Sequence, residues 1–192
     1  MSIVLMGSTS GSITLSEPAV AGSNTISLPA LTGTVVVAGQ NSAITAGTAV
    51  TSTSGTSIDF TGIPSFVKRI TVIFASVSGS GASSFLIQLG TSGGVISTGY
   101  NSACNSGPAI TSTAGFVVGE DTGALIDTGS YVINQVNSTI WAGGGTFFRD
   151  SSSTLKSCAG KLTGAGTIDR VRITFVNGTD TFDAGTINIL YE

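Results

Sequence analysis

Histidine is absent from all 192 residues. That removes Ser-His-Asp and Cys-His catalysis, and with it the commonest metal ligand. Only two cysteines are present, Cys104 and Cys158. Without histidine they do not make a zinc set. They read either as two free, partly buried thiols or as one bridge across a long loop. Charge is scarce as well, at 9% Asp, Glu, Lys and Arg with a net charge of −3. The seven basic residues (Lys68, Arg69, Arg149, Lys156, Lys161, Arg170 and Arg172) are scattered, not clustered. No phosphate-tracking surface is expected, so nucleic acid is not a partner of choice. No apolar run approaches the roughly 18 residues that a spanning helix needs, which argues against membrane insertion. The opening Met1-Ser2-Ile3-Val4-Leu5-Met6 has neither a basic stretch nor a long apolar one, so no secretory signal is expected.

What the chain does have is glycine, 27 of them, abundant Ser and Thr, and 41% hydrophobic residues. That is enough apolar material for a core. A charge-poor surface favours a chain that buries area against copies of itself. The densest β signal is 63–74, Ile-Pro-Ser-Phe-Val-Lys-Arg-Ile-Thr-Val-Ile-Phe. Pro64 ends what precedes it. Beyond it, one parity holds Phe66, Ile70, Val72 and Phe74, and the other holds Val67, Arg69, Thr71 and Ile73. Both sets are largely apolar from Ile70 on, which predicts a central strand covered on both faces. In 170–176, Val171, Ile173 and Phe175 share one face, and Arg170, Arg172 and Thr174 the other.

From 57 onward the pattern predicts an antiparallel β-sandwich or jelly-roll head, with almost no helix. Strands are expected at 57–60, 66–77, 85–89, 95–97, 116–118, 131–136, 139–141, 147–149, 155–158, 170–176 and 186–191. Turns fall at Gly79-Ser80-Gly81, Gly93-Gly94, Gly107-Pro108, Asn177-Gly178 and Ala184-Gly185. Residues 1–40 form a separate arm with Glu17 as their single charge and short alternating pieces at 12–15, 25–28 and 34–37. Strands this short bury no core alone, so the arm is expected to wrap with other copies or to lie on another surface. Residues 41–56 read as a linker ending near Ala46, followed by a first strand within 48–53.

Chemistry is sparse. Glu120 with Asp127 is the one carboxylate pair that could flank a glycosidic bond, and Glu120, Asp121 and Asp127 could also form a calcium loop. An exposed acidic loop accounts for the same residues. Asp180-Thr181-Phe182-Asp183 reads as a solvated turn. Gly143-Gly144-Gly145 and Gly164-Ala165-Gly166 lack the Gly-Lys-Ser/Thr ending of a phosphate loop and read as loop glycines. Trp141 ahead of the three glycines is a candidate exposed tip that could stack on a sugar, with Arg149 and Asp150 supplying hydrogen bonds. Burial in a core is the competing assignment for that tryptophan. No catalytic residue, cofactor or metal site is assigned.

The arm carries a resemblance. Its Ser-Gly-Ser-Ile-Thr-Leu opening at 10–15, its Pro-Ala-Val-Ala-Gly-Ser-Asn-Thr turn at 18–25 and its Leu-Pro-Ala…Thr-Gly-Thr close at 28–34 resemble a segment of tailed-bacteriophage fibre and decoration proteins. The head is similar to phage fibre tips at 63–70 and at Gln88-Leu89-Gly90. The resemblance implies a homotrimeric virion component, assembled in the host cytoplasm and held to another virion protein through residues 1–40. It implies no enzymatic constellation. Three functions are then in view: a short tail fibre or adhesin binding a host surface glycan, a capsid decoration protein or head fibre, and, more remotely, a glycan depolymerase.

Overall fold

The computed structural model describes residues 3–6, 12–15, 44–105, 109–119, 127–150 and 152–192. The chain divides into two compact units, Met1–Val36 and Val37–Glu192. In the first, β1 (Ile3–Met6) pairs antiparallel with β2 (Ser12–Leu15), Ile3 opposite Leu15. The expected strands at 25–28 and 34–37 lie outside the described residues.

The second unit is a β-sandwich, and its described residues contain no helix. Its strands are β3 (Thr45–Ala46), β4 (Val50–Thr51), β5 (Ser57–Thr61), β6 (Arg69–Gly79), β7 (Phe85–Thr91), β8 (Gly94–Val95) and β9 (Tyr100–Asn105). They continue as β10 (Ile110–Ser112), β11 (Phe116–Val118), β12 (Asp127–Asn137), β13 (Ile140–Arg149), β14 (Thr154–Thr163), β15 (Arg170–Phe175) and β16 (Phe182–Tyr191). A wide sheet runs β10-β9-β14-β13-β12-β6-β16-β3, with β4 also on β16. A narrower one runs β11-β7-β15-β5, with β8 on β7. Strands β3 and β4 both pair with β16, so from Thr45 the stretch read as a linker already contributes sheet edge.

Burial follows alternation. On β15, Val171, Ile173 and Phe175 face the core, while Arg170, Arg172 and Thr174 stay half-exposed, as the pattern predicts. Arg172 crosses to its register partner Asp59 on β5 with two short bonds, 2.7 and 2.6 Å. On β6, Ile70, Val72 and Phe74 are fully buried, but Thr71 and Ile73 are only half-buried. The expectation of a strand covered on both faces is corrected: the wide sheet packs on one partner sheet, and its other face stays partly open. The strand also starts later than expected. Val67 N–H donates to Pro64 O at 3.1 Å, closing a turn that leaves Phe66 70% exposed.

After Phe74 the parity flips. Ser76 takes a positive φ of 54°, and the registers of both β12 and β16 shift beside it. This is a β-bulge, with the Ser76 N–H taken up by Thr128 Oγ1 at 3.0 Å. It returns Val77 to the interior, so one long strand serves the core along its whole length.

The two strands expected at 139–141 and 147–149 are one strand, β13, and its three glycines lie mid-strand, not in a loop. Close approach explains them. A Cβ at Gly145 would run into Ser130 O and come within 2.8 Å of Tyr131 Cα; one at Gly143 would sit 2.9 Å from the Tyr131 ring. The ring occupies the space Gly143 leaves, and its hydroxyl donates to Gly143 O at 3.1 Å. It meets Phe116, which in turn meets Tyr100, and a second group of ring contacts in the core joins Phe74, Phe85, Phe147, Phe175 and Phe182. Cys104 and Cys158 are direct register partners on β9 and β14 and form a disulfide within this interior.

Candidate functional site

The sequence-selected residues do not assemble into one site. Trp141 and Arg149 lie on the same inward parity of β13 but eight positions apart, about 27 Å at the strand rise of about 3.4 Å per residue. Trp141 is 1% exposed, which corrects the expectation of an exposed tip: it occupies the inner face, in register between Gln135 and Leu162. Arg149 is equally withdrawn and pairs with Asp127. Asp150 alone is solvent-exposed, in the turn after β13. Glu120 and Asp121 lie outside the described residues. Asp127 is fully buried against Arg149, so it does not face a bond to be cleaved.

What Trp141 does line is a cleft of about 490 Å³ at one end of the sandwich. Three separate segments meet there: the turn before β6 (Ser65, Val67, Lys68), the β12–β13 hairpin (Gln135 to Trp141) and the approach to β15 (Thr167, Ile168). Backbone bonds fix their relative positions. Gln135 N–H donates to Lys68 O at 2.8 Å, Ala165 N–H to Thr139 O at 3.0 Å, and Ile63 N–H to Asp169 O at 2.9 Å. Asn137 shapes the hairpin, its Oδ1 accepting from the N–H groups of Thr139 and Ile140, both at 2.9 Å.

The chemistry of the wall is one-sided. Among the described residues, Lys68 is the single ionisable one lining the cleft, and no carboxylate does. Lys68 Nζ donates to Gln135 Oε1 at 2.6 Å, a neutral partner that leaves the ammonium charge uncompensated there. The indole Nε1 of Trp141 is buried with no hydrogen-bond partner. Val136 on the wall is 62% exposed, giving the polar cleft an apolar margin.

Among the described residues no three His, Cys, Asp or Glu side chains gather where they could hold a metal ion. Sequence reasoning singled out Trp141 but missed Ser65, Lys68 and Gln135. The three segments are separated by some 70 and 30 positions, so no single window of sequence displays the cleft. The one local signal was Pro64 with Asn137-Ser138, which mark the two turns that meet. No family model, no curated protein and no solved structure matches this chain.

Proposed function

We propose that this protein is a non-enzymatic structural component of a bacteriophage virion, a short homotrimeric tail fibre or adhesin. Residues 1–40 attach it to another virion protein and trimerise it, and the sandwich engages the host cell surface, a glycan being the natural target. The observation that carries the reading is the pairing of the phage-type arm sequence with a separate unit, Met1–Val36, ahead of a charge-poor β-sandwich. Weak sites repeated on a trimer would add through effective concentration.

A second reading, a capsid decoration protein or head fibre, draws on another observation. Phe148 and Leu155 are register partners on the outer face of the wide sheet and are 39% and 70% exposed. Such a pair suits a face laid against neighbouring shell subunits.

Immunogold labelling of the source particle with antibody to residues 58–192 separates the two. Gold at the tail tip or baseplate supports the fibre. Gold spread over the shell replaces it with the decoration protein, and unlabelled particles sink the virion reading. Removal of residues 1–40 is expected to abolish the trimer, and a trimer that persists in light scattering overturns the role given to the arm.

A further inference from the structure

We propose that the cleft lined by Trp141 binds a carboxylate-bearing sugar residue, with Lys68 as its charge partner. The proposal rests on the adhesin reading for its biological setting, but on the cleft alone for its chemistry.

The groups around the cleft are poised to donate. Lys68 carries an ammonium. Its bond to Gln135 engages the amide oxygen of that residue, which leaves the NH2 end to donate. The hairpin engages Asn137 Oδ1 in the same way, again leaving an NH2. With no carboxylate among the described lining residues, the complementary ligand is rich in acceptors and negatively charged.

The size and margins narrow the class. About 490 Å³ falls in the range of roughly 300–1,000 Å³ typical of small-ligand clefts. The exposed Val136 offers apolar contact to the C–H face of a pyranose ring, and Ser65, Ser138 and Thr167 offer hydroxyls that both donate and accept. A single ammonium, with no arginine fork beside it, matches one carboxylate better than a dianionic phosphate. A nucleic acid strand would need a run of cations that is missing here.

Trp141 is the only tryptophan in the chain, so its fluorescence reports on the cleft without any label. The full chain is titrated with trisaccharides ending in glucuronate, galacturonate or sialate, with maltotriose as the uncharged control and inorganic phosphate as the anion control. The expected result is a saturable change with at least one acidic sugar and none with either control. Lys68→Gln, at an exposed position, is expected to weaken that binding on the order of tenfold, with the melting temperature unchanged. Silence with all three acids, equal response to maltotriose or phosphate, or full affinity in Lys68→Gln overturns the proposal. The virion reading fails separately: acid-sugar binding by a protein absent from labelled particles removes the fibre but keeps the site, and labelled tails with a silent cleft do the reverse.

Discussion

Asp127 and Arg149 stand directly opposite one another on β12 and β13, the Arg149 Nε donating to Asp127 Oδ1 at 3.4 Å, with the side chains 0% and 2% exposed. Lys156, from the adjoining β14, is buried as well. Charge withdrawn this far is tolerated only while partnered, because the lost hydration is recovered by the partner or not at all.

Asp127→Ala is therefore expected to destabilise the protein by about 3–5 kcal/mol, the cost of removing one partner of a buried ion pair. Asp59→Ala removes the partner of Arg172 at the surface, where both side chains are more than a third exposed, and is expected to cost under about 1 kcal/mol. Urea unfolding of the two variants measures both. Equal midpoints would mean that the buried pair contributes no more than the exposed one.

The mid-strand glycines make a second, sharper contrast. A methyl at Gly145 meets the backbone of Ser130 and Tyr131, which cannot move without breaking the β12–β13 ladder. Gly93, in the turn before β8, has its nearest neighbour at 3.5 Å, an ordinary contact. Gly145→Ala is expected to cost about 3 kcal/mol or more and Gly93→Ala less than about 1 kcal/mol. Thermal melts by circular dichroism decide it, and a well-tolerated Gly145→Ala would refute the close backbone approach of β12 at Gly145.

These glycines also mark where sequence reading stopped. Strands with clean alternation, 57–60 and 170–176, are legible because each position states its face, and 116–118 is legible as a short run of Phe and Val buried throughout. β9 reads Tyr-Asn-Ser-Ala-Cys-Asn and has almost no β propensity, yet it alternates buried and open along its length. What makes it a strand is the partner β14 and the Cys104–Cys158 bridge, which no local window contains. Gly143–Gly145 misled for the converse reason: glycine signals a turn when read locally, and here it signals a tyrosine ring packed from the next strand. The cleft was partly legible. Trp141 stood out as a lone indole, but its inward direction depended on the parity of β13, and that was hidden by the glycine run being taken as a loop. Arg149 was grouped with it by proximity in sequence, whereas a continuous strand sets them far apart.

Reducing or removing the disulfide tests the tie between β9 and β14. It links positions 54 apart, and loss of that constraint on the unfolded chain is worth about 4 kcal/mol in the chain-entropy account. Cys104→Ser with Cys158→Ser is expected to lower the melting temperature by roughly 10 °C at the two to four degrees per kcal/mol typical of this size. The cystine is fully buried, so reductant is expected to act on the folded protein only as fast as the wide sheet opens. Rapid reduction with the fold intact would contradict that placement.

The last prediction concerns alkaline pH. Burial pushes the phenols of Tyr100 and Tyr131 well above their ordinary range, and for Tyr100 this outweighs the opposing hydrogen bond from Leu89 N–H at 2.8 Å. In the unfolded chain both would ionise near pH 10 or so. A phenol whose value is raised on folding contributes stability that is complete below its unfolded value and is lost as pH rises through that value towards the folded one. Above about pH 10 the unfolded state has released both protons while the native state keeps them, so stability falls by about 1.4 kcal/mol per pH unit for each tyrosine. Denaturant midpoints followed through this window are expected to decline steeply, and phenolate absorbance to rise together with loss of the circular dichroism signal. Tyr131→Phe removes one of the two contributions and is expected to halve the slope, at the cost of the bond to Gly143 O. Smooth phenolate titration of Tyr100 and Tyr131 in a protein that stays folded would show that the rings reach solvent, and the core drawn around them would have to be redrawn.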